Sequence, residues 1–97
     1  VSNIFIFKEK SLLTPSVSSG ILRGVTRAVV MDLARKRGWR VLERQLTRHD
    51  LYTARECFLT NTSSEVLPVV TLDGRRIGDG APGPLTRLLG EDFKKLR

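Results

Sequence analysis

The sequence predicts a mixed α and β domain of the α+β class: a twisted sheet, one long helix packed on it, and a terminal helix closing one side. Three observations carry this. Residues 3–8, Asn-Ile-Phe-Ile-Phe-Lys, are dense in β-branched and aromatic types and predict a strand. Residues 24–37 place Val25, Val29, Val30, Leu33 and Ala34 at helical spacing, with Arg27, Asp32, Arg35 and Lys36 outside that stripe. Asp73-Gly74 between two short runs is a strong hairpin turn.

The remaining elements follow in order. Glu9 to Ser11 make a turn, and Leu12 to Thr14 pair back on the first strand until Pro15 ends it. Pro15 to Gly20 are rich in Ser, Pro and Gly and predict a loop. Gly38 stops the long helix. Trp39 to Leu46 alternates, which predicts a strand with one apolar face. Thr47 with Asp50 three residues later resembles a capping box, so a short helix is expected over 47–54, with His49 an exposed first-turn residue. Residues 55–60 predict a third strand, and Asn61 to Glu65 a hydroxyl-rich turn in which Thr62 and Glu65 form a second cap. Pro68 to Leu72 and Arg75 to Ile77 flank the Asp73-Gly74 turn as strands. Pro84 suits the first position of a helix whose apolar face is Leu85, Leu88, Leu89 and Phe93.

The 97 residues allow one small domain with a modest core. No apolar run approaches a membrane span, and the first ten residues lack the features of a signal peptide. The chain begins in a strand, which suggests part of a larger protein. The single Cys57 excludes an internal disulfide and a cysteine-based metal cluster, lies in an apolar run, and fits a cytoplasmic protein. The net charge of +7, with twelve arginines among seventeen basic residues, favours anionic partners. The arginines are dispersed and the aromatics sit among apolar residues, so a solvated basic surface accounts for them better than a nucleic-acid face.

No Ser-His-Asp order and no metal-ligand spacing is present. Two turns combine glycine or asparagine with hydroxyls. The first is Gly20 to Arg27, Gly-Ile-Leu-Arg-Gly-Val-Thr-Arg, where Gly24 stands at the entry to the long helix and Thr26 in its first turn. The first N–H groups of a helix lack internal partners and face the positive end of its dipole, so Gly24 and Thr26 there make a phosphate cradle. An ordinary helix start with a capping threonine is the plainer description of the same residues. The second turn is Asn61 to Ser64 after the third strand, either an anion nest or a polar connection with caps. If that strand lies beside the long helix, both turns meet around one anion.

Here the sequence resembles a known family. Ser-Asn-Ile-Phe-Ile-Phe with Leu12 and Thr14, then Leu22-Arg23-Gly24-Val25-Thr26-Arg27, then Asn61-Thr62-Ser63-Ser64-Glu65 and the run from Asp73 to Arg87 look like the class IV, fold-type IV pyridoxal-phosphate enzymes. These are the branched-chain and D-amino-acid aminotransferases and aminodeoxychorismate lyase. The resemblance covers nearly the whole chain. It implies a barrel-like sheet of the kind in the C-terminal domain of D-amino-acid-aminotransferase-like enzymes. It implies pyridoxal 5'-phosphate as cofactor, with Leu22, Gly24, Val25, Thr26, Asn61 and Thr62 binding it. It implies that Thr62 and Ser63 meet the substrate carboxylate, that amino acids and 2-oxo acids are substrates, and that the enzyme is a homo-oligomer.

The chain also departs from the family. The Schiff-base lysine and the acid that pairs the pyridine nitrogen precede the segment matching Asn3 in the family, and Lys8, Lys10, Lys36, Lys94 and Lys95 do not match that lysine. The resemblance therefore implies no catalytic residue here and no transamination by this polypeptide without the missing N-terminal half. The turn over 61–65 resembles the aminotransferases more than the lyase. The alternatives are a lyase-type part, or a basic module binding nucleic acid or another polyanion.

Overall fold

A computed structural model of the chain describes residues 2–16, 25–61 and 66–96. The elements are β1 (Ser2–Lys8), β2 (Ser11–Thr14), α1 (Val25–Lys36), β3 (Arg40–Glu43), α2 (Arg48–Tyr52), β4 (Glu56–Asn61), β5 (Val66–Pro68), β6 (Thr71–Leu72), β7 (Arg75–Arg76) and α3 (Pro84–Lys94). One sheet runs in the order β3-β2-β1-β4-β5, and β6 and β7 form a separate hairpin. The mixed α and β class holds. The barrel-like sheet does not: among the described residues the sheet is open, with β3 and β5 at its edges.

The central strand explains the layering. Phe5 and Phe7 point to one face of β1 and Ile6 to the other, and all three are buried. A strand apolar on both faces must be covered on both. On one side, Phe5, Phe7, Leu12 and Phe58 pack against Val30, Met31, Leu33 and Ala34 of α1 and Leu89 of α3. Phe5 and Phe58 are directly opposite in the antiparallel β1–β4 register, and their rings stack with centroids 4.9 Å apart. On the other side, Ile6, Leu13 and Cys57 pack against Ala54 beyond α2 and Ile77 beyond β7.

The long helix has the predicted span but a rotated face. Met31 is buried, while Val25 is 77% exposed and Arg27, expected outside the stripe, is buried. The strand after it is shorter than expected, and both its faces are covered: Val41 packs on the helix side and Leu42 on the other. The expected strand 68–72 is two. Val69 N still donates to Cys57 O beside β4, but Val70 O accepts from Ile77 N in the next hairpin, so the chain changes sheets between them.

Two caps use side chains. Thr47 and Asp50 form the expected reciprocal box at α2. The Asp50 carboxylate also meets Lys8 Nζ at 3.0 Å and Arg44 at 3.7 Å. At α3 the N-cap is Gly83, which has no side chain to offer. Instead Glu56 of β4 reaches across: Oε1 accepts from Thr86 N and Thr86 Oγ1, both at 2.8 Å, and Oε2 accepts from Leu85 N at 3.2 Å. A carboxylate thus satisfies the orphan donors at the positive end of the helix. A Cβ at position 83 would run into the Glu56 carboxylate, so a larger residue there would displace the cap.

Both caps can be tested through stability. Glu56→Ala leaves the buried Thr86 hydroxyl and two N–H groups unpaired, at a cost of about 1–3 kcal/mol each where water cannot replace the lost bond. Thermal melting followed by circular dichroism should show a loss of at least about 5 °C for a domain of this size; an unchanged midpoint would show that the cap contributes nothing. The backbone N–H of Thr47, then the Lys8 ammonium, hold Asp50 down from 3.8 to about 2. A depressed folded-state pKa stabilises above the unfolded value and is lost as pH falls through the folded one. Asp50→Asn should therefore flatten the pH dependence of the melting midpoint between about 4 and about 2, the window set by those two values.

Candidate functional site

The connectivity decides which end of the sheet carries the site. β2 and β3 pair in parallel, with Ser11 opposite Arg40 and Thr14 opposite Glu43. The chain leaves β2 at the Thr14 end and must re-enter beside Ser11, so α1 runs back across the sheet. Two contacts confirm its direction. Trp39, just beyond α1, packs edge-on against Phe7 near the β1–β2 turn. At the other end, Arg27 Nη2 donates to Pro15 O at 3.1 Å, immediately past β2. The N-terminus of α1 therefore lies at the end of the sheet where β1 begins and β4 finishes.

That is also where Asn61 lies, paired with Ser2 at the end of β4. α1 packs against β4 as well as β3. The condition set by the sequence is thus met for the described flanks: the start of the long helix and the end of the third strand share one end of the fold. Val25 is exposed there, Thr26 is 9% exposed, and Asn61 is half-buried. Leu22, Gly24, Thr62 and Ser63 lie outside the described residues, as does the expected Thr62–Glu65 cap.

The first turn of α1 carries no acidic residue, so no side chain of the helix neutralises its positive end. Arg27, in that turn, is held by Pro15 O and by Glu43 Oε1 at 2.7 Å. Thr60, one residue before Asn61, alternates onto the face of Phe58 and is completely buried. Its Oγ1 has no hydrogen-bond partner among the described residues. Buried polar atoms are nearly always paired, so an orphan hydroxyl at this end of β4 is a group that needs a partner. Thr14, at the same end of β2, shows the ordinary outcome: its hydroxyl donates to Ile4 O at 2.7 Å. Arg27 and Thr60 are the two candidate residues the sequence passed over. The signal for Thr60 was present, as a hydroxyl in phase with Phe58; the signal for Arg27 was not, because its acceptors are 12 and 16 residues away.

A cavity of about 200 Å³ lies at the opposite end, between Phe7, Leu12, Trp39 and Leu85, and holds none of the residues singled out by sequence. Cys57 is buried, and burial pushes its thiol up to about 11. His49 is exposed, as expected. Among the described residues no group of His, Cys, Asp and Glu could hold a metal ion, and no helix is long and apolar enough to cross a membrane.

Residues 1–72 match the family model for amino-transferase class IV. A protein of Methanocaldococcus jannaschii is 50% identical over 95 residues, which are 98% of this chain and 33% of that one. The D-alanine aminotransferase of Bacillus licheniformis is 42% identical over 86 residues, 89% of this chain and 30% of that one. The branched-chain amino acid aminotransferase from Escherichia coli superposes with a TM-score of 0.92 at 38% identity, covering 98% of this chain and 32% of that one. The chain spans about a third of the length of the curated relatives it matches.

Thr60→Val tests the orphan hydroxyl. An unsatisfied buried group costs about 1–3 kcal/mol, and an isosteric apolar group removes that cost. The ligand-free midpoint should stay level or rise, while protection by inorganic phosphate or a phosphorylated cofactor should fall. A drop in the ligand-free midpoint would mean that the hydroxyl is already paired. In the native fold, Cys57 should resist thiol reagents at pH 8 and react fully only in denaturant.

Proposed function

We propose, since this chain belongs to the amino-transferase class IV family, that it is the part of an amino-acid aminotransferase that holds the phosphate of pyridoxal 5'-phosphate. One observation carries the proposal: the acid-free N-terminus of α1 with Thr26, and the buried unpartnered Thr60 hydroxyl beside Asn61, occupy the same end of the sheet. A dianionic phosphate suits that donor set, since backbone N–H groups at a helix start and small hydroxyls are its usual partners.

In this proposal the N–H groups of Val25 and Thr26 and the Thr26 hydroxyl bind phosphate oxygens. Leu22, Gly24, Asn61 and Thr62 complete the phosphate shell, and Thr62 and Ser63 orient the substrate carboxylate. The bound cofactor supplies an electron sink for the substrate carbon that bears the amino group. The residues of this chain bind and orient; none is assigned a proton transfer. We place the chain in the C-terminal part of the enzyme, because none of its lysines matches the family's Schiff-base lysine. Activity then requires the remainder of the polypeptide, with amino acids and 2-oxo acids as substrates, in a cytoplasmic homo-oligomer.

Six of the seventeen basic residues have carboxylate partners among the described residues. Arg27, Arg35, Arg37, Arg44, Arg48 and Lys8 each meet a carboxylate of Asp32, Glu43, Asp50, Asp73 or Asp92.

Pyridoxal phosphate titration of the full-length polypeptide, followed by visible absorbance, tests the proposal. Binding is expected, and Thr26→Val should weaken it about tenfold, the equivalent of one hydrogen bond to a charged group. Two results would overturn the proposal: no response to pyridoxal phosphate or inorganic phosphate, or nucleic-acid binding with steep salt dependence and no effect of Thr26.

A further inference from the structure

We infer that Arg27 is a positioning residue that fixes the N-terminus of α1 for an anionic ligand, by tying the first helical turn to the ends of β2 and β3. The inference rests on the phosphate-site proposal above and adds a residue to it.

Arg27 sits where a cation is least expected. It lies in the first turn of α1, beside the positive end of the dipole, and its side chain is 8% exposed. Burial of a charge is tolerated only with partners. Arg27 has two, both reached by Nη2: Pro15 O at 3.1 Å and Glu43 Oε1 at 2.7 Å. Pro15 follows Thr14, and Thr14 is opposite Glu43 in the β2–β3 register. The guanidinium therefore joins three segments at one point: the exit from β2, the end of β3 and the start of α1.

Helix packing alone does not need this arrangement. Val30, Met31, Leu33 and Ala34 already bury α1 on the sheet, and Arg37 pairs with Asp92 of α3 at the other end through two bonds of 2.6 and 2.9 Å. What Arg27 adds is a fixed position for its neighbour Thr26 and for the first N–H groups of the helix. The neutralising carboxylate comes from β3 and not from the helix, so the helix end itself stays free of acid. Thr60 is an independent observation at this end of the sheet, a buried hydroxyl with no partner among the described residues, which a ligand's oxygen could satisfy. A displacement of about 1 Å in such a donor set is enough to lose most of its benefit.

The experiment compares wild type, Arg27→Met, Arg27→Lys and Glu43→Gln in the full-length protein. Dissociation constants are measured for pyridoxal phosphate, for inorganic phosphate and for pyridoxal, which lacks the phosphate, alongside the melting midpoint. Arg27→Met should weaken pyridoxal phosphate and phosphate by about tenfold or more and pyridoxal by less than about twofold; Arg27→Lys should recover part of the loss, and Glu43→Gln should fall between. A purely structural role would lower the midpoint and leave the ratio of pyridoxal phosphate to pyridoxal affinity unchanged, which overturns the inference while the phosphate site stands. Should Arg27→Met fail to fold, the same ratio measured on Glu43→Gln decides: a selective loss supports the clamp, and an unchanged ratio overturns it. A wild type that binds neither phosphate nor pyridoxal phosphate overturns the phosphate site itself, and the clamp with it.

Discussion

The parallel pairing of β2 with β3 is the constraint on which the site depends. Parallel neighbours cannot be joined by a tight turn; the chain must cross back over the sheet. Four residues of β2 span about 13 Å, and the twelve residues of α1 about 18 Å, so the helix returns the chain with little to spare. Its polarity is then fixed. The N–H end of α1 must stand over the end of the sheet where β1 starts and β4 stops, and its carbonyl end over the β1–β2 turn. A helix dipole aimed at one edge is a consequence of strand order, before any side chain is considered.

The side chains then divide the two ends by chemistry. At the carbonyl end, Gly38 terminates the helix, Arg35 and Lys36 lie in the last turn, and Arg37 pairs with Asp92 while facing the Trp39 ring at 5.7 Å. The Arg37 guanidinium, the first cause, holds the Asp92 carboxyl below its usual range. Arg37 and Asp92 satisfy one another. At the N–H end, among the described residues, the first turn has no acidic residue, a buried arginine takes its carboxylate from β3, and the Thr60 hydroxyl has no partner. The contrast with α3 is instructive. Its N-terminus is also acid-free within the helix, but Glu56 fills it from β4 with three hydrogen bonds. One helix start in this fold is closed by Glu56; at the other, the described residues of the helix supply no acid.

Much of this was legible in the sequence because it is local. The two-faced strand at Ile4 to Phe7, the Thr47–Asp50 box, the Asp73-Gly74 turn and Pro84 at a helix start are each decided by a few neighbouring residues. The failures are all non-local. Val25 continues the apolar spacing of α1 yet is exposed among the described residues. Arg27 breaks the apolar spacing yet is buried, because its acceptors arrive from Pro15 and Glu43. Glu56 looks like a polar residue at a strand start, and only the packing of α3 makes it a cap. The run from Pro68 to Leu72 reads as one strand because nothing in its composition marks the change of sheet between Val69 and Val70.

The same distinction bears on what a resemblance in sequence transfers. Motif residues such as Gly24, Thr26 and Thr62 can be carried from a family by spacing alone, since turn chemistry is local. Arg27 and Thr60 acquire a reason only from the register. Thr60 matters because β4 places it in phase with Phe58 under the helix layer, and Arg27 because Thr14 and Glu43 are opposite one another. Phosphate contacts alone would make any capped helix start a candidate. The buried cation clamped behind this one, and the unpaired hydroxyl beside it, are what separate it from the closed start of α3. The position of this helix start depends on the sheet register as much as on neighbouring residues, which is how Glu43, 16 residues from Arg27, comes to hold it although the sequence gives no hint of it.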